Sequence, residues 1–128
     1  MGRTGRTARA DGAESDAFLP LTPLSYHILL AVADQARHGY GIIKEIEAGT
    51  AGATSPSTGA LYLALQRMES EGLVAEAPAP RAEPNDDPRR KYYRLTPLGR
   101  RVAVLESQRL AGLVALAAEK RLTGGGHG

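Results

Sequence analysis

Apolar residues recur at helical spacing in three successive segments of the first half of the chain. The first segment follows Pro23 and runs to about Ala36, and the second runs from Tyr40 to about Ala48. The third begins after the start signal Ser55-Pro56-Ser57-Thr58 and ends near Glu71, just before Gly72, which is a typical left-handed stop. The pattern predicts three consecutive helices separated by short glycine-containing turns.

The second half of the chain contains two short strand-like segments and one long helical segment. Residues 73–77 are apolar, and residues 91–95 are rich in aromatic side chains that favour strands. Residues 78–88 hold too many prolines for a helix or a central strand, so the two strands are predicted to form a hairpin around a long loop. Thr96-Pro97 is a second start signal, and no proline follows it, which predicts one helix to about Leu122.

The long helix has a broader apolar face than one small domain can cover. A helix from Thr96 to Leu122 would be about 39 Å long, and its apolar side chains must pack on something. We expect them to form a dimer interface made of Leu98, Val102, Leu105, Leu110, Leu113, Val114, Leu116 and Ala117. Glu106 and Arg109 interrupt this face, either as its rim or as a pair across the dimer seam.

Three helices followed directly by a hairpin is the element order of a winged helix-turn-helix. We therefore expect a mainly α-helical fold with a small β-hairpin, in which residues 18–95 form the winged domain and residues 96–122 form a dimerisation helix. Residues 1–17 and 123–128 lack apolar periodicity and are expected to be disordered tails. In this architecture the third helix lies in the major groove and the hairpin contacts the neighbouring backbone.

Composition excludes several classes of function. The 128 residues include no cysteine, which excludes disulfides, thiolate metal sites and cysteine nucleophiles, and which suits a cytoplasmic protein. His27 and His38 have no second ligand at metal spacing, and no catalytic constellation is visible, so we expect no metal, no cofactor and no enzyme activity. The longest apolar stretch is about half of the roughly 18 residues that a membrane span needs, so we expect no membrane partner.

The net charge is only +2, but the basic residues are unevenly distributed. Between Arg89 and Arg101 the chain has six basic residues and no acidic one. Such a strip is typical either of a polyanion contact or of a solvated face. Because it begins at the second strand of the predicted hairpin, Arg89, Arg90 and Lys91 are candidate phosphate contacts.

Three motifs resemble those of the PadR-like transcriptional regulators. HGYGIIKEI at 38–46, GALYLALQRMESEGLV at 59–74 and RKYYRLTPLGR at 90–100 follow the family's pattern at matching spacing, within a resemblance over about residues 21–122. The resemblance implies a homodimeric, sequence-specific DNA-binding regulator of the short branch, in which one carboxy-terminal helix builds the dimer. It also implies a repressor released by a small-molecule effector at the dimer interface or by another signal. Known multidrug-sensing relatives stack planar ligands on tryptophan, which this chain lacks.

Candidate DNA contacts come from the resemblance and from side-chain chemistry. The resemblance places Tyr62 and the turn before it at the DNA backbone, and it places Tyr93 in the wing. Gln66 and Arg67 lie on the polar side of the third helix. They are either base contacts, with glutamine pairing with adenine and arginine with guanine, or solvated surface. The full candidate set is Ser57, Thr58, Gly59, Tyr62, Gln66, Arg67, Arg89, Arg90, Lys91 and Tyr93. The remaining tyrosines in these motifs, Tyr40 and Tyr92, are interpreted as core.

The expected partner is double-stranded DNA with two inverted half-sites, because a symmetric dimer presents two copies of the third helix. The chain departs from the family pattern at Ala60, where a hydroxyl residue is usual, and at Leu63, where proline is common. The hairpin loop carries Glu83, Asp86 and Asp87, which disfavour close approach to phosphate. A winged-helix module that binds another protein, without specific DNA binding, is the alternative function.

Overall fold

The order of helices and strands along the chain confirms the predicted winged helix-turn-helix followed by a long helix. The computed structural model of the chain describes residues 14–80 and 89–124. The helices are α1 (Pro23–Ala31), α2 (Gly39–Gly49), α3 (Thr58–Ser70) and α4 (Pro97–Glu119), and residues 14–16 form one further helical turn. The strands are β1 (Arg37–His38), β2 (Val74–Ala77) and β3 (Tyr92–Leu95).

Each of the helices α1 to α4 begins at a side-chain cap. The hydroxyl oxygens of Thr22, Ser57 and Thr96 accept hydrogen bonds from backbone amides of the first turns of α1, α3 and α4, and for α3 and α4 the start signals predict these caps. α2 has a cap that the sequence analysis missed, because Nδ1 of His38 accepts a hydrogen bond from the amide of Gly41 at 3.1 Å. His38 therefore has a structural role.

α3 ends at a glycine in the left-handed region, as predicted. Gly72 has φ +83°, and the amide of Leu73 donates to the carbonyl of Met68 at 2.9 Å. This pairing satisfies carbonyls at the end of the helix and turns the chain directly into β2.

The sheet has a third strand that the sequence analysis did not predict. β1 pairs antiparallel with β3, with Arg37 opposite Tyr93 and His38 opposite Tyr92, so the strand order is β1-β3-β2. α1 ends at Ala31 and not near Ala36, because Nε of Arg37 donates to the Ala31 carbonyl at 2.7 Å and the chain turns into β1. The predicted hairpin is β2-β3, with Val74 opposite Leu95.

The core lies between α1, α2, α3, the hairpin and the first half of α4. Its fully buried side chains include Leu29, Ile42, Leu65, Leu73 and Val102. Val102 has no exposed surface within its own chain, and Leu98 packs against the same core. Val102 is therefore a correction, since it was expected in a dimer interface.

The start of α4 is fixed tightly to the base of the hairpin. Thr96 accepts a hydrogen bond from the amide of Gly99 at 2.9 Å, while its own hydroxyl donates to the carbonyl of Leu73 at 3.0 Å. Gly99 lies so close to the Leu73 carbonyl that a Cβ atom there would overlap it. Only glycine fits at this position of α4.

Glu106 is buried inside the domain and does not mark the rim of an apolar face. It is 2% exposed, and its carboxylate accepts hydrogen bonds from Nε and Nη2 of Arg109 at 2.7 and 2.9 Å. The amide of Leu21 donates to the same carboxylate at 3.2 Å, which ties the segment before α1 to α4. The hydrogen bonds from Arg109, and then the one from Leu21, lower the pKa of Glu106 below its ordinary value.

The second half of α4 leaves apolar side chains uncovered. Leu113, Val114 and Leu116 are 51%, 60% and 46% exposed. The long apolar face therefore divides into a first half that belongs to the core and a second half that has no partner within the described part of the chain.

Some of the segments predicted as tails or loop fall outside the described residues. These are residues 1–13, residues 125–128 and residues 81–88, and the last group includes Glu83, Asp86 and Asp87. The end of the predicted amino-terminal tail is described, and Ser15 there is 1% exposed.

Candidate nucleic-acid interface

α3 buries one side in the core and presents the other to solvent. The buried side consists of Leu61, Ala64, Leu65 and Met68. At 3.6 residues per turn, the line of α3 directly opposite the core passes through Gly59, Leu63, Gln66 and Ser70. All four of these residues are exposed, so this outer face of α3 is open over the full length of the helix.

The first turn of α3 offers hydrogen-bond donors to an anion. Ser57 accepts a hydrogen bond from the amide of Ala60 at 3.1 Å, and Thr58 and Gly59 follow it in exposed positions. The remaining first-turn amides and the positive end of the helix dipole favour a phosphate group there.

Tyr62 packs against the start of α2 and is still partly exposed. Its ring lies against Gly39 at the start of α2, so closely that a Cβ atom at Gly39 would overlap the Tyr62 hydroxyl. The side chain is nevertheless 43% exposed, and its hydroxyl has no hydrogen-bond partner among residues 14–80 and 89–124. The side chain of Tyr62 therefore packs against α2 at Gly39 and is open to solvent over part of its surface.

Gln66 and Arg67 lie on different sides of α3, although both were candidate base contacts from the sequence. Nη2 of Arg67 donates to the hydroxyl of Ser25 at 2.8 Å, and Nη1 lies 3.2 Å from a carboxylate oxygen of Glu71. Arg67 thus lies along the side of α3 that faces α1. Gln66 remains on the outer face of α3.

Lys91 and Tyr93 have partners within the domain. Nζ of Lys91 lies 3.1 Å from a carboxylate oxygen of Glu69, whose hydrogen bond raises the pKa of Lys91, and 5.5 Å from the centroid of the Tyr93 ring. Tyr93 is 5% exposed and belongs to the core, and burial raises the pKa of its hydroxyl. Tyr93 therefore has to be removed from the expected DNA contacts.

Arg89 and Arg90 lie exposed at the base of the hairpin. Nη1 of Arg90 is 3.1 Å from Nε2 of His38, the residue that caps α2. The contact links the hairpin to the start of α2. An open cleft of about 480 Å³ lies beside it, lined in part by Arg37, His38, Arg90 and Tyr92.

Two exposed residues were missed or misassigned by the sequence analysis. Tyr40 was interpreted as core, but it is 57% exposed on α2, with Nζ of Lys44 at 5.2 Å from its ring centroid. Leu63 was noted only as a departure from the family, yet it is 70% exposed on the outer face of α3. The spacing of Leu63 from the buried Leu61 and Leu65 is the signal that could have identified its orientation.

Neither a metal centre nor a membrane span is found in the described part of the chain. No cluster of three or more metal-ligating side chains occurs among residues 14–80 and 89–124. In the same residues, no helix combines the length and the apolar character that crossing a membrane requires.

Comparison with known proteins identifies the family. The family model of the PadR-like transcriptional regulators matches residues 28–104, from α1 into α4. The chain belongs to the PadR-like family. It is therefore assigned to a family of transcriptional regulators and not to an enzyme family, which confirms the resemblance seen in the motifs. No curated protein matches the chain in sequence.

Solved structures show that this PadR-like chain shares its fold with other regulators. A PadR family transcription regulator from Clostridium difficile is 24% identical, with a TM-score of 0.64 over 77% of this chain and 97% of that one. A transcriptional regulator from Clostridium thermocellum is 23% identical, with a TM-score of 0.63 over 75% of this chain and 87% of that one. PadR of Bacillus subtilis, solved in complex with operator DNA, is 20% identical, with a TM-score of 0.54 over 70% of this chain and 47% of that one.

Proposed function

We propose that this PadR-like regulator is a homodimer that binds a specific operator with two inverted half-sites, inserting α3 of each copy into the major groove. The observation that carries the proposal is the outer face of α3, which is exposed from Gly59 to Ser70 while the opposite side of the helix is held in the core. The similar fold of Bacillus subtilis PadR, which binds operator DNA, supports this use of the face.

Phosphate contacts would flank this face on two sides. The first turn of α3, with Ser57 and Thr58, provides backbone amides and hydroxyl groups, and the partly exposed Tyr62 side chain would add its hydroxyl beside them. Arg89 and Arg90 at the hairpin base provide positive charge. Such contacts supply affinity and register, while the outer face of α3 supplies sequence recognition.

The dimer would form through the second half of α4. Leu113, Val114 and Leu116 are about half exposed and need a cover, and Leu110 and Ala117 lie in the same part of the helix. Fully burying an exposed aliphatic side chain contributes roughly 1.5–3 kcal/mol, and covering the exposed half of each of these contributes about half of that. Three such side chains from each copy can therefore offset the entropy cost of association. Repression, and its release by a small molecule or another signal, complete the proposal on the basis of the family resemblance.

Selection of duplexes from a random pool by the full-length protein, followed by footprinting, tests this function. We expect the selected sequences to have two inverted half-sites, spaced by about 10 bp or a multiple of it. The Arg89→Ala variant should bind the selected and a scrambled duplex more weakly by similar factors and should flatten the salt dependence. Lys120→Ala removes the same charge beyond the end of α4 and serves as the control.

Failure to select any sequence would refute the proposal. If the protein were a stable dimer that selected no DNA, the alternative of a protein-binding winged helix would replace it. A direct repeat in the footprint would contradict the symmetric arrangement.

A further inference from the structure

Leu63 is a large aliphatic side chain that its own domain does not bury. It is 70% exposed, close to the 73% of Leu122 beyond the end of α4. Single exposed leucines are common on protein surfaces, so it is the position that matters. Leu63 lies at the middle of the outer face of α3, between Gly59 and Gln66, which places it at the centre of the surface proposed to enter the major groove.

Gly59 leaves open space on the same face of α3. A Cβ atom at Gly59 would have no neighbouring atom within 4 Å, and the backbone there is not in the left-handed region. By contrast, a Cβ atom at Gly39 or Gly99 would overlap Tyr62 or the backbone of Leu73. Packing thus requires glycine at those two positions but not at Gly59, where glycine weakens the helix and leaves room for a ligand surface.

The dimensions and chemistry of the major groove fit this face. An α-helix with its side chains is about 10–12 Å across, and the groove is about 12 Å wide. Leu63 and Gln66 are separated by about 4.5 Å along the helix, close to the 3.4 Å step between base pairs. The apolar group that base edges expose in this groove is the 5-methyl group of thymine.

Building on the proposed DNA-binding function, we propose that Leu63 packs against the 5-methyl group of one thymine in each half-site. Leu63 then determines specificity at that base pair, and Gln66 faces a neighbouring one.

Replacing thymine by deoxyuridine tests the contact, since the exchange removes the methyl group and keeps every hydrogen-bonding atom. Each thymine of the duplex selected by the full-length protein is replaced in turn, with its symmetry mate, and the Kd is measured by fluorescence anisotropy. At one symmetry-related pair we expect the wild type to lose affinity about fourfold per half-site, the effect of one buried methyl group. The Leu63→Ala protein should bind more weakly and show no loss at that pair.

Leu122→Ala is the matched control, because it truncates an equally exposed leucine outside α3. It should keep the wild-type loss at that pair, about fourfold per half-site, and both variants should unfold at the wild-type temperature. A selected duplex in which no deoxyuridine exchange weakens binding would overturn the proposal, as would a loss that persists in Leu63→Ala; the proposed function would survive both results. Failure to select any duplex would remove both.

Discussion

Replacing Gly59 by alanine should stabilise the protein and weaken its binding to DNA. The new methyl group would meet no protein atom within 4 Å, and Gly59 lies inside α3 (Thr58–Ser70) outside the left-handed region. Alanine is favoured over glycine within a helix by about 0.5–1 kcal/mol, which is the expected gain in the free energy of unfolding.

The same methyl group would stand on the outer face of α3, where a close-fitting surface has no room for it. Overpacking a close contact costs about 1–3 kcal/mol, which corresponds to roughly a five- to 150-fold increase in Kd. Urea unfolding measures the first effect, and fluorescence anisotropy with the selected duplex measures the second. Because stability should rise while DNA affinity falls, the two measurements distinguish a lost DNA contact from a damaged fold.

Gly49→Ala is the matched control for this prediction. A Cβ atom at Gly49 also meets nothing within 4 Å, but Gly49 borders a small cleft between α1 and α2 beside His27 and Leu30. It should stabilise the protein without changing the Kd. A Gly59→Ala protein that gains stability and binds like the wild type would refute the approach of DNA to this part of α3. A loss of stability would contradict the free space around Gly59.

Three further predictions concern other parts of the molecule. Because hydrogen bonds lower the pKa of Glu106 from 4.5, its contribution to stability is complete above that value and is lost as the pH falls through the lower folded-state pKa. Urea unfolding between pH 7 and pH 3 should therefore show a steeper loss in the wild type than in Glu106→Gln, and equal slopes would contradict the role of this carboxylate. Lysine at both Leu113 and Val114 should give a folded monomer in sedimentation equilibrium, whereas a persistent dimer would place the interface elsewhere. Tyr62→Phe keeps the packed ring and should lower DNA affinity by about 1 kcal/mol at unchanged stability; an unchanged Kd would end its assignment as a phosphate contact.

The helices could be predicted because the interactions that begin and end them are local. Thr22, Ser57 and Thr96 each cap a helix within three residues of their own position, and Gly72 stops α3 by its own backbone conformation. β1 has no such local signal, since two residues show no periodicity. Its existence depends on pairing with β3, more than fifty residues later in the chain.

The candidate interface was less predictable because it depends on orientation. Gln66 and Arg67 are adjacent polar residues, and only the distant hydroxyl of Ser25 shows that Arg67 turns toward α1. Aromatic character alone favours burial for both Tyr40 and Tyr93, but the structure buries Tyr93 and exposes Tyr40.

The apolar face of α4 illustrates the same limit. Val102 and Leu113 are both apolar residues of one helix, and no feature of the sequence shows that one is buried in the core and the other exposed. The division follows from where the rest of the domain ends, because Val102 meets the core and Leu113 lies beyond it.

The tight junction at Gly99 couples the direction of α4 to the position of the rest of the domain. α4 is also held against α1, because the Tyr26 hydroxyl lies 2.6 Å from that of Ser107, so two contacts fix the first half of α4 to the domain that contains α3. In a dimer joined through α4, the crossing angle of the two helices would then set the distance between the two copies of α3. From Pro97 to Leu113, where the seam is proposed, α4 is about 24 Å long, so a change of about 8° displaces its first residue by about 3 Å. That displacement is close to the 3.4 Å rise of one base pair, so a small rotation at the dimer seam would shift the operator register by about one step.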